Sequence, residues 1–70
     1  MDKRLEAFEA MLAAILRDYQ QTAQKMADLK GQGREKTVTF RQLMAKKLEL
    51  ANMLAIYRAY GLVEEERTEN

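Results

Sequence analysis

The stretch Leu5–Leu29, LEAFEAMLAAILRDYQQTAQKMADL, decides the fold. Leu5, Phe8, Leu12, Ile15, Tyr19, Thr22, Met26 and Leu29 recur in it at alternating steps of three and four. Successive residues of an α-helix turn by about 100°, so this spacing draws eight side chains into one stripe. Seven of the eight are apolar or aromatic, and Thr22 is the weak rung. Such a stripe is the coiled-coil-like seam of a long helix laid along another helix.

Outward from the seam, Asp2 is placed to cap the first helix, and no Gly or Pro interrupts Lys3 to Lys30. Lys25 and Lys30 sit in the closing turns, where the helix dipole favours cations. Gly31 is expected to take the left-handed terminal position, with Gly33 keeping the following chain flexible. The second helix has its own start signal. Thr39 with Gln42 three residues on forms a capping box, and Val38 with Leu43 a hydrophobic staple. That helix should run to Tyr60 and stop at Gly61, with Leu62 folding back toward Tyr57. The expected domain is therefore one hairpin over residues 1–62: helix about 2–30, turn 31–38, helix about 39–60. Residues 63–70, rich in Glu, are expected to form a disordered acidic tail. The fold class is all-α, an antiparallel helical hairpin.

The second helix carries more apolar surface than one neighbour can cover. Leu43, Leu50, Leu54 and Tyr57 mark one face, and Phe40, Met44, Leu48, Ala51 and Ala55 widen the arc well beyond about 100°. Met11, Leu16 and Ala23 flank the seam of the first helix. A 70-residue chain without Cys has no disulfide or thiolate-bound metal to staple a small core. Oligomerisation is the remaining remedy, and two hairpins paired as a four-helix bundle would bury both stripes. The expected homodimer draws on Leu5, Phe8, Leu12, Ile15, Tyr19, Met26, Leu43, Leu50, Leu54 and Tyr57.

Charge suggests how two copies are oriented. Residues 25–47 hold seven basic against two acidic side chains, a net +5, while residues 1–24 sum to −1 and 48–70 to −3. Antiparallel hairpins set each basic turn beside the acidic ends of the other copy, and parallel ones set +5 against +5. Lys47 and Arg58 are the odd residues, because both fall on the apolar arc. With Met26 near Phe40, antiparallel register brings Tyr19 to Lys47 and Phe8 to Arg58. Their stems are expected to pack while the heads reach Asp18 and Glu9, or Arg58 stacks on Phe8.

Several function classes lose support. With neither His nor Cys, acid–base chemistry would fall to Asp, Glu, Lys and Tyr, and no enzyme activity is expected. Gly31-Gln32-Gly33 lacks the following Lys-Ser/Thr of a phosphate cradle, and no Glu-x-x-His pair offers a di-metal site. No cofactor or metal is expected. No run of about 20 apolar residues spans a bilayer and no signal peptide is recognisable, so the expectation is a cytoplasmic protein without membrane contact.

The reading that remains is a small interaction or scaffold module acting as a helical homo-oligomer. Met53, Ile56 and Tyr60 point away from the main arc and are the candidate face for an unknown protein partner. The alternative is a nucleic-acid-binding accessory protein using Lys30, Arg34, Lys36 and Arg41 around the turn. In shape and length alone the expected architecture resembles the small RNA-binding helical-hairpin dimers. No motif accompanies that resemblance, and it transfers no residue role.

Overall fold

The computed structural model describes residues 2–63, which form two helices, α1 (Lys3–Gly31) and α2 (Val38–Ala59), packed against each other in antiparallel fashion. Among the described residues there is no strand. Residues 64–70, most of the acidic segment expected as a tail, lie outside them. Val63, assigned to that tail by its sequence, packs against the core.

Asp2 caps α1: its carboxylate accepts from the Arg4 backbone N–H at 3.0 Å. That satisfies one of the donors a helix start leaves unpaired. Both helices end in the same backbone motif. The N–H of Arg34 donates to the Leu29 carbonyl at 2.8 Å, and the N–H of Gly33 donates to Lys30 at 3.0 Å. At the close of α2, Leu62 donates to Tyr57 at 2.9 Å and Gly61 to Arg58 at 3.0 Å. These paired bonds need a left-handed residue, supplied by Gly33 (φ 74) and Gly61 (φ 76). The first ending therefore uses Gly33, and Gly31 is the last residue of the helix. Gln32 between them is the C-cap, at φ −94, with its N–H donating to the Asp28 and Leu29 carbonyls.

The start of α2 also differs from its sequence signal. Its cap is Thr37, whose hydroxyl accepts from the Phe40 N–H at 3.2 Å and donates to the Arg34 carbonyl at 2.9 Å. Thr39 is already helical, so the Thr39–Gln42 capping box and the Val38–Leu43 staple do not form. The reason is the buried ring of Phe40. Capping from Thr37 holds Phe40 by its own N–H within the first turn, and the Thr37 hydroxyl ties that turn back to the loop.

Leu12, Ile15, Leu50 and Leu54 form the core, with Phe8, Leu16, Tyr19, Tyr57 and Val63 packed around it. Two pairs fix the register. Phe8 meets Tyr57 with ring centroids 5.6 Å apart and planes at 89°, and the Lys47 ammonium lies 5.7 Å from the Tyr19 ring centroid. Tyr19 thus finds Lys47, as expected, but the aromatic partner of Phe8 is Tyr57 and not Arg58. The edge-to-face geometry sets the positive edge of one ring against the negative face of the other.

The result is one layer of helix. The protein measures 48 × 30 × 15 Å, and its radius of gyration of 14.6 Å exceeds the roughly 11 Å of a compact 70-residue domain. Domains ordinarily close their core between two layers. Among the described residues no large side chain is completely enclosed, and Leu54, 4% exposed, is the most buried of the core residues.

Candidate interaction surface

The seam takes up most of the residues first expected at a dimer interface. Leu12, Ile15, Leu50 and Leu54 are buried, and Phe8, Tyr19, Met26, Leu43 and Tyr57 are half-buried, within a single hairpin. Leu5 alone of that set stays exposed. The rungs of α2 are Phe40, Leu43, Lys47, Leu50, Leu54 and Tyr57, a 3-4-3-4-3 ladder that answers the one on α1. Lys47 occupies a rung and is half-buried, its cation spent on the face of Tyr19. Such a contact contributes about 0.5–1 kcal/mol near a surface.

Thr22 is the most deeply buried residue of the ladder at 3% exposed. A small side chain at that rung lets the helices approach between the larger rungs Tyr19 and Met26. Arg58 is half-buried, and its Nε is shielded from solvent without a hydrogen-bond partner among the described residues. A shielded donor of that kind costs about 1–3 kcal/mol.

The surface that the seam leaves open is strongly apolar. Leu5, Met11, Val38, Met44, Leu48, Met53, Ile56, Tyr60 and Leu62 are all exposed. Met53, Ile56 and Tyr60, the candidate partner face, are open to solvent, Ile56 at 58% and Tyr60 at 78%. A set this dense on so small a chain exceeds the scattered apolar residues of an ordinary monomer surface.

The basic residues gather elsewhere. Lys30, Arg34, Lys36 and Arg41 are all exposed and sit at the turn end of the hairpin, with Lys25 and Lys46 on the adjoining turns of the two helices. A shallow, apolar depression of about 280 Å³ opens nearby, lined by Lys25, Asp28, Leu29, Thr39 and Leu43. No group of three or more carboxylates, imidazoles or thiols converges as a metal site among the described residues. Among the described residues no helix is long and apolar enough to cross a membrane.

No protein-family model matches this sequence, and no curated protein or solved structure shows significant similarity to it. The class is defined by the architecture itself: a two-helix antiparallel hairpin with apolar flanks and a basic turn.

Proposed function

We propose that this protein is a non-enzymatic interaction or scaffold module that works as a homodimer, two hairpins closing into a four-helix bundle. The observation that carries the reading is the single 15 Å layer, which leaves nine large apolar side chains in water. Covering them is the largest available gain in free energy, because buried apolar area is worth about 25 cal/mol per Å². A second copy offers the same surface at no further cost in sequence, and closed two-fold pairing is the commonest oligomeric solution. In such a bundle part of the exposed set turns inward, and Met53, Ile56 and Tyr60 remain as the outward face for a different protein. The cysteine-free sequence fits a reducing compartment, and we place the module in the cytoplasm.

Light scattering on the eluting protein at micromolar concentration tests the reading. The expected mass is twice 8.1 kDa. A cooperatively folded species of 8.1 kDa would reject it.

A second reading has one specific observation in its favour: the four exposed basic residues gathered at the turn end. Clustered Lys and Arg are sufficient for weak, salt-sensitive attachment to phosphates. Neither helix is short enough to act as the recognition helix of a helix-turn-helix, and the nearest aromatic ring, Phe40, is buried. A mobility-shift titration across salt concentrations decides this reading. Binding that survives Arg34→Ala, Lys36→Ala and Arg41→Ala together would exclude the basic turn as its seat.

A further inference from the structure

Resting on the dimer reading above, we infer that the second copy docks on one particular side of the hairpin, the flank carrying Leu16, Ala23, Met44, Leu48, Ala51 and Ala55. At 100° per residue, Met44, Leu48, Ala51 and Ala55 lie about 100° clockwise of the α2 seam, viewed from the N-terminus of that helix. Leu16 and Ala23 lie about 75° clockwise of the α1 seam by the same measure. The helices run in opposite directions, so both clockwise flanks fall on one side of the layer. Burial agrees: Leu16, Ala23 and Ala51 are half-buried toward the groove between the helices, while Met44 and Leu48, the latter 61% exposed, stand up beside it.

The other side is a poorer dock. Around Met11 and Met53 it carries Asp18, Gln21 and Lys25 on α1 and Gln42, Lys46 and Glu49 on α2, all exposed. Such groups would have to be desolvated if a second layer covered them. On the inferred side α2 has no charged residue between Arg41 and Arg58. The area is also adequate. α2 has 22 residues, so two helices side by side project a face about 33 Å long and 20 Å wide. Once side-chain corrugation is added, that approaches the roughly 800 Å² per partner of a stable interface.

Side-chain size sets the direction. The turn end of this flank carries Lys30 and Arg41, and the open end carries Glu9 and Arg58. A two-fold axis crossing both helices at mid-length stacks each helix on its own copy and lays each turn end over an open end. With the axis between positions 49 and 50, Leu48 lies over the partner's Ala51 and Met44 over the partner's Ala55. Large side chains then meet small ones over residues 44–55 of α2, the condition for two helical layers to pack closely.

The test compares two single variants of the full chain by sedimentation equilibrium. Leu48→Glu should weaken pairing by roughly 100-fold or more, because it forces a carboxylate into the interface. Ile56→Glu should stay dimeric. Loss of the dimer in Ile56→Glu with retention in Leu48→Glu would overturn the assignment while leaving dimerisation intact. A wild-type chain of 8.1 kDa would instead remove the dimer reading itself. Should Leu48→Glu fail to fold, cross-linking decides. A short bis-maleimide should join a Leu48→Cys chain to an Ala51→Cys chain and should not join two Ile56→Cys chains, and the reverse pattern would overturn the inference.

Discussion

Phe8 and Tyr57 meet edge to face at 5.6 Å and 89°, where α1 begins and α2 ends. The pair closes the open end of the hairpin, just beyond Leu12 and Leu54, and it does so with residues 49 positions apart in sequence. A contact at that separation locks the register of the whole antiparallel pair.

Its strength is measurable by a double-mutant cycle on Phe8→Leu and Tyr57→Leu, read by urea unfolding at fixed protein concentration. We expect a coupling of about 0.5–1.5 kcal/mol, the value of an aromatic pair beyond simple area burial. Coupling indistinguishable from zero would mean that the rings merely share a neighbourhood.

Lys47 holds a rung that an apolar residue would fill at lower desolvation cost. Lys47→Met gives up a cation–π contact worth about 0.5–1 kcal/mol and gains a side chain of similar length with no charge to keep near water. The expected outcome is a gain in stability of up to about 1 kcal/mol with the mass in solution unchanged. A loss of stability, or a change of oligomeric state, would assign the charge a role in specifying the bundle.

The start of α2 distinguishes two threonines. Thr37→Ala removes the hydroxyl that accepts from the Phe40 N–H and should cost about 1 kcal/mol. Thr39→Ala, inside the helix and exposed, should change stability by less than about 0.5 kcal/mol. Thermal or urea melts of the two variants give the comparison, and equal effects would contradict the Thr37 cap.

Two glycines near the turn should respond with opposite signs. At Gly31, helical and with nothing close to an added Cβ, Ala should stabilise by about 0.5–1 kcal/mol. At Gly33, φ is +74, and Ala should destabilise by about 1–2 kcal/mol although the surrounding space is open. The same melts check both, and a stabilising Gly33→Ala would show that the turn can reorganise.

Particular residues show how far the sequence could be read. The 3-4 ladder placed α1, and Gly61 with Leu62 placed the end of α2, because period and left-handed glycine are local signals. Thr37 and Gly33 were not legible, and Thr22 was legible as a rung but not as the most buried one. Two threonines near 38 offer equivalent caps, two glycines near 32 offer equivalent left-handed positions, and only packing around Phe40 and the loop chooses between them. Thr22 counts as a weak rung when residues are ranked by hydropathy, yet where two helices press together small volume matters as much. Lys47 was legible from spacing, which set it on the apolar arc opposite Tyr19, and the face of that ring makes the place tolerable for a charge. The candidate surface was legible as an excess of apolar residues. Its division into two flanks needed the register that Phe8–Tyr57 and Tyr19–Lys47 supply.

Everything proposed for the apolar flanks requires that one layer of two helices pair with another. Sedimentation equilibrium combined with thermal melts, over protein concentrations from about 1 to about 100 μM, measures this directly. The dimer gives a mass converging on twice 8.1 kDa and a Tm that climbs with concentration. A mass of 8.1 kDa throughout, with a cooperative and concentration-independent melt, would contradict it.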